Sequence, residues 1–596
     1  MILTQRHLLR SFSLLLLALA ATSAYAAENY LKVIPSTALA WGAVNHMNEA
    51  SGKIQKLATI VQAPAVSVLD QLKTVSGVTK GLDEKGPAGF FGVPGKTEKD
   101  ASVGATFVAV ANEKEFLGNF EVVKAGEKIS EVKLKTSNTT THCLAMRNGY
   151  ALLSPKSDRA ALEAAVEAKQ DISAEMAGLE SWLAENDAVV VGTAAGIKYA
   201  AKQASEGLAK SKDEIANAPE AAALRPILDL YGKALTAMPS QFSLAVAGIR
   251  CDKEGSIRIV GRARLVNGGL ISNAIAGIPP VKENLLSGVP GGPFVFAGGG
   301  VSISKLFEGY MDLAIGFIKS MKSVYGMSAE DLERMSKESI EVFRQVRSMS
   351  FVMKTGKRGD PIYSNMFSAM RVDDSQRFLE LFEKSAENTS KLMQNAKQGM
   401  LKSMTVKRLE IAGKRALQQE MNFDLSRLGV PEVSRAMVDE MMGVGGKMLV
   451  YYVTADEHTV LMGIGVSQER MVAALDVVKQ PKKSLAEDAD VSVTAAMLPA
   501  DAQWVAYMSP RGYMQLTQRL MTAMMKNMPG MAAEAFSLPQ FPKCPPVGFA
   551  VKAAPDELHG EIAVPAPMLQ AAGEFVKDMQ KMIMDRAMQQ NQPPAP

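Results

Sequence analysis

The sequence predicts an α+β fold of two tandem, internally duplicated units, each a mostly antiparallel sheet covered on one face by amphipathic helices. Three observations predict it. Strand-length apolar runs come singly or as hairpins with helical patterns between them, and Asn148-Gly149 is a strong two-residue hairpin turn. A hydrophobic-Pro step into a short strand and then a helix occurs at Ile34-Pro35, Val289-Pro290 and Leu498-Pro499. Landmarks of the first half return in the same order in the second, at offsets drifting from about 255 to about 310 as loop insertions produce.

In chain order, residues 34–41 read as a strand, 45–60 as a helix and 65–75 as a second helix burying Val68, Leu69 and Leu72. The Gly- and Pro-rich stretch 81–95 reads as a loop. Residues 105–110 form a strand that runs into Asn112, the N-cap of a helix carrying Phe116, Leu117 and Phe120. Strands follow at 129–134, 142–146 and 150–154, then a helix at 158–168, a strand at 188–192 and a helix at 197–208. A hairpin over 243–249 and 256–262 turns at Lys253-Glu254-Gly255, ahead of a short helix at 270–276.

The second half replays this. The strand 367–371, Asp373-Asp374 and Phe378, Leu379 and Phe382 match the Asn112 region. Residues 459–478 match the hairpin and helix of 150–166, with Arg470 on Arg159, and 548–564 match the hairpin 244–260. The units are therefore 27–280 and 281–584, and 585–596 is a disordered Pro/Gln-rich tail.

The hydrophobic-Pro entry, the strand followed by Asn/Asp and Phe-Leu-x-x-Phe, and the YALLS hairpin leading to a helix resemble a family of exported bacterial proteins, planctomycete-type, built on a domain of unknown function. The resemblance covers most of residues 30–580. It implies an exported protein and brings no activity or catalytic residues with it.

Residues 1–26 have the form of a secretory signal: Arg6 and Arg10, an apolar run 14–21, and small residues at Ala24 and Ala26 for cleavage after Ala26. Export to the periplasm or beyond follows, with no transmembrane helix in the mature chain. Losing Arg6 and Arg10 takes the formal charge from +4 to +2, and no basic block offers itself to nucleic acid. Three cysteines, Cys143, Cys251 and Cys544, allow at most one internal disulfide, so this is not a disulfide scaffold.

Chemistry-bearing patterns are sparse. Ser302-Ile303-Ser304-Lys305 has the spacing of a lysine-activated serine, and Lys354-Thr355-Gly356 and Tyr363-Ser364-Asn365 echo elements of serine β-lactamases, but in the wrong order. Ser302 reads better as a helix cap, and Gly298-Gly299-Gly300 as a tight turn between strand and helix rather than a phosphate loop. His46, His142, His458 and His559 are scattered without ligand spacing, so neither a metal nor another cofactor is expected. Met521, Met524, Met525, Met528 and Met531 follow helical spacing, fitting core packing, a pliable apolar groove or a Cu(I) site.

The leading expectation is an exported, non-enzymatic binding or structural protein of the cell envelope, its partner an unknown protein or apolar ligand. The alternatives are a carrier of lipid or another apolar ligand with Met521, Met524, Met525 and Met528 as its groove, and a serine acyl-transfer enzyme on Ser302 and Lys305.

Overall fold

The computed structural model describes residues 30–590 except 66, 98–99, 137–140, 216–224, 279–280, 282–283, 303–327, 357–359, 396–400, 424–445 and 527–537. The expected signal peptide, with Ala24 and Ala26, lies outside these residues, as do Lys305 and Met528. The fold is α+β, and every strand pairing described below is antiparallel.

The described residues fall into two compact units. One takes those of Met1–Gly207, Ala234–Gly269 and Asp556–Glu561, the other those of Leu208–Lys233, Leu270–Pro555 and Ile562–Pro596. The break at Gly269 precedes the expected 280 because the helix Leu270–Ile275 is tied into the second unit, where Ser272 Oγ donates to Pro555 O at 2.8 Å.

In the first unit the strands are β1 (Ala40–Val44), β2 (Ala88–Val93), β3 (Val103–Ala109), β4 (Phe120–Lys124) and β5 (Ser130–Leu134). They continue with β6 (Thr141–Arg147), β7 (Tyr150–Pro155), β8 (Ala188–Thr193), β9 (Phe242–Cys251) and β10 (Ile257–Leu265). Their order across the sheet is β10-β9-β8-β1-β2-β3-β7-β6-β5-β4.

The second unit has β11 (Phe294–Val301), β12 (Val346–Lys354), β13 (Met366–Val372), β14 (Leu401–Ile411) and β15 (Lys414–Phe423). Then come β16 (Lys447–Asp456), β17 (Thr459–Ile464), β18 (Trp504–Met508) and β19 (Val547–Ala554). Here the order is β19-β18-β11-β12-β13-β17-β16-β15-β14. Raising each label of the first unit's run from β9 to β4 by ten reproduces that sequence of neighbours.

Local chemistry follows the same parallel. Pro35 bridges Asp171, and Pro290 bridges Ser484. Thr193 Oγ1 accepts from Gly196 N–H at 3.0 Å, and Ser509 Oγ accepts from Gly512 N–H at 3.2 Å. Gly196 presses its backbone on the residue before β1 and Gly512 on the first residue of β11: a Cβ on Gly196 would lie 1.8 Å from Leu39 O, and one on Gly512 2.0 Å from Phe294 O.

Period-two alternation gives the strands of each unit two buried faces. Leu152 packs with Trp41, Phe91, Phe107 and Leu162, whereas its neighbour Ala151 packs with Phe116, Phe120 and Val132. In the second unit Leu461 packs with Phe367, Met471 and Leu475, and Val460 with Val372, Phe378 and Leu379. Helices therefore cover both faces rather than the one expected, because strand-flanking helices such as Arg159–Glu167 and Glu113–Leu117 leave the sheet on opposite sides.

Several expectations are corrected. The stretch 81–95, expected as a loop, contains β2, whose glycines permit close packing: a Cβ on Gly89 would sit 2.1 Å from Gly42 O. Gly298, Gly299 and Gly300 are not a turn but the middle of β11, since added Cβ atoms would meet Val505 O at 2.7 Å, Leu285 O at 1.8 Å and the Trp504 ring at 2.1 Å. The first strand starts at Ala40, not 34, and the helix after Asn112 ends at Leu117, so that Phe120 opens β4. The last helix, Ala566–Gln590, runs through the first residues of the segment read as tail.

Candidate functional site

In the second unit, β12 ends in Phe351-Val352-Met353-Lys354, an apolar run that stops on a lysine. Lys354 N–H donates to Asn365 O at 3.1 Å, so the chain leaves β12 at Lys354 and returns beside it at the start of β13. Asn365 is buried and left-handed (φ 60°), a conformation Asn tolerates better than most residues. Its amide donates to Ser364 Oγ at 3.0 Å and to Asp360 Oδ2 at 3.1 Å, and Ser364 Oγ donates to Pro361 O at 2.6 Å.

The next strand in the sheet, β17, feeds the helix Gln468–Lys479, capped by Ser467 Oγ on Arg470 N–H at 3.4 Å. Helical spacing puts Arg470, Ala473, Ala474 and Val477 on one side, while Met471 and Leu475 enter the core. Together with Pro290, Phe367, Asn365, Asp360, Lys354 and Lys483 this side lines a cleft of about 370 Å³. Its base is apolar, with Phe367, Ala474 and Val477 all buried.

Charge in the cleft is uneven. Among the described residues, Lys354, Arg470 and Lys483 stand against one lining carboxylate, Asp360, whose Oδ2 is 3.6 Å from an Arg470 guanidinium nitrogen. The Lys354 ammonium donates to Gly291 O, and Arg519 donates to Asp360 O, pinning the backbone there. Burial pushes the Lys354 pKa below the ordinary lysine range, and the nearby Arg470 charge pushes it the same way.

The first unit places a different residue at the corresponding point. Gly42 in β1 is backed by Phe90, and Gly298 in β11 by Phe351. Three residues beyond these phenylalanines stand Val93, which is 2% exposed, and Lys354. Pro94-Gly95 follows in the first unit and Thr355-Gly356 in the second. The first unit thus closes with an apolar side chain where the second presents a cation.

The residues singled out in sequence separate. Lys354-Thr355 and Asn365 meet in this cleft, and Arg470 joins them; Arg159, expected to match Arg470, instead opens its helix as Gln468 opens the helix that carries Arg470. Arg159 itself pairs with Glu163 at 2.9 Å and with Glu131 at 3.9 Å. Ser302 directly follows β11, its N–H donating to Arg347 O at 2.7 Å. Met521, Met524 and Met525 lie on the helix Pro510–Lys526, where Met525 is buried and Met521 half-buried, and neither of these two lines the cleft. The cysteines are free, with Cys143 and Cys251 buried. Among the described residues no helix is long and apolar enough to cross a membrane, and no group of three or more His, Cys, Asp or Glu side chains is placed to hold a metal.

Asp360 and Lys483 were missed in sequence. The one signal that points to the cleft is a lysine closing an apolar strand that is buried on both sides.

No protein-family model and no curated protein matches the chain. Among solved structures, crystal form III of TP0453 aligns over 43% of this chain and 89% of that one, at 9% identity and a TM-score of 0.21, a likeness too slight to carry any argument.

Proposed function

We propose that this chain is an exported, non-enzymatic binding protein of the cell envelope, built from two copies of one unit. Its ligand site is the cleft of the second copy, and its ligand is a small organic anion. The observation that carries the reading is Lys354: its ammonium is held half-buried beside Arg470 at a point where the first unit is content with buried Val93. Burying a charge next to a like charge is unfavourable for folding, and such positions concentrate at functional sites. A cleft with an apolar base and a few convergent polar groups is the usual form of a small-molecule site.

The two-copy reading rests on the shared strand order and on the paired details at Pro35 and Pro290 and at Gly196 and Gly512. Export rests on the pattern of residues 1–26 and on the resemblance to exported bacterial proteins.

Native mass spectrometry of the chain, purified gently from the envelope and soluble fractions of its own host, tests this. The expected result is an added small mass that leaves on denaturation and is missing from the Lys354→Met/Arg470→Met variant. An adduct retained by that variant, or a chain that carries only protein partners, contradicts it.

A further inference from the structure

We infer that the cleft takes a small carboxylate with an apolar body, which binds by exchanging with the Asp360 carboxylate at Arg470. The inference rests on the reading of the cleft as an anion site and adds the class of ligand and the manner of its entry.

The protein already holds a carboxylate in the cleft. Asp360 Oδ2 accepts from the Asn365 amide at 3.1 Å and faces Arg470 at 3.6 Å, beyond hydrogen-bond length. Both partners of that pair are about a third exposed, at 38% and 29% of their side chains, so water screens the pair. Exposed pairs of this kind contribute little, and an incoming carboxylate meets a guanidinium that is only loosely engaged. The planar fork of an arginine matches a carboxylate with two parallel donors. Arg519 grips the main chain of Asp360 through its carbonyl, so the carboxylate leaves the guanidinium by a side-chain rotation that gives up the bond from the Asn365 amide while the backbone stays in place.

The rest of the lining fixes the remainder of the ligand. Ala473, Ala474, Val477 and Phe367 offer no hydrogen bonds and suit a short hydrocarbon body. Lys354 and Lys483 leave the lining positive even with Asp360 in place, which favours an anion over a neutral amphiphile. The cleft of about 370 Å³ is at the small end for a ligand pocket and excludes a diacyl lipid.

Isothermal titration calorimetry of the full chain with sodium hexanoate, hexanol and inorganic phosphate tests the inference on wild type, Asp360→Asn, Asp360→Ser and Arg470→Met. Hexanoate is expected to bind wild type, and to bind both Asp360 variants roughly two- to fivefold more tightly because the internal competitor is gone. Arg470→Met is expected to lose hexanoate, and hexanol and phosphate to bind at least about tenfold more weakly than hexanoate, a difference of about 1.4 kcal/mol. Equal or weaker hexanoate binding by both Asp360 variants overturns the exchange while leaving the anion site standing. Phosphate binding as tight as hexanoate overturns the carboxylate class. Failure of every probe on every variant overturns the anion site itself.

Discussion

On the proposed reading, Lys354 sets stability against ligand binding. Replacing a poorly solvated charge by an apolar side chain of similar length removes a desolvation penalty, and such replacements are often stabilising by about 1–4 kcal/mol when a full buried pair is involved. Lys354 keeps one hydrogen bond, to Gly291 O, and part of its hydration, so Lys354→Met should stabilise the chain by about 1 kcal/mol at neutral pH and abolish ligand binding. The sign of the pH dependence follows from the lowered pKa. A lysine whose folded pKa lies below its unfolded value weighs against the fold fully below the folded pKa, and that cost fades as pH rises through it. The gap in melting temperature between Lys354→Met and wild type should therefore be constant through neutral pH and narrow toward pH 10.5, the ordinary lysine value. A gap that widens in alkali, or a destabilised variant, contradicts this account of the residue.

Single glycines decide how the elements pack. Gly512 starts a helix against β11 with no room for a methyl group, so Gly512→Ala should cost about 3 kcal/mol as overpacking, read as a lower urea midpoint. Gly52, inside the helix Met47–Ile60 with nothing near its absent side chain, should gain about 1 kcal/mol on Gly52→Ala. Equal effects at the two positions would mean that contact, as described, does not govern either. The same glycines explain which elements were legible in sequence. Hairpins and caps could be read because their signals are local: Asn148-Gly149 has φ of 51° and 80°, and Asn112 Oδ1 accepts from Glu115 N–H at 3.1 Å. β2 and the glycines of β11 could not, because in a loop Gly signals freedom, whereas here it signals a neighbouring backbone or ring that only the assembled sheet supplies.

At the scale of the molecule, the order of landmarks was visible along the chain, but the cleft was not. Lys354 and Asn365 are brought together by the return of the chain from β12 to β13, and Arg470 is brought to them by the pairing of β13 with β17. The second of those pairings joins residues about a hundred positions apart, Met366 with Ile464, and no local pattern announces it. The lysine stands out only beside the first unit, where the corresponding position holds the buried, apolar Val93.

The central claim is that the second unit, and not the first, carries the ligand cleft. Hydrogen exchange on the full chain, with and without sodium hexanoate, tests it most directly. Added protection is expected in peptides covering 354–367 and the helix Gln468–Lys479, with no change at their counterparts, 93–105 and the helix Arg159–Glu167. Equal protection of both sets, or protection confined to the methionine-rich helix Pro510–Lys526, would contradict it.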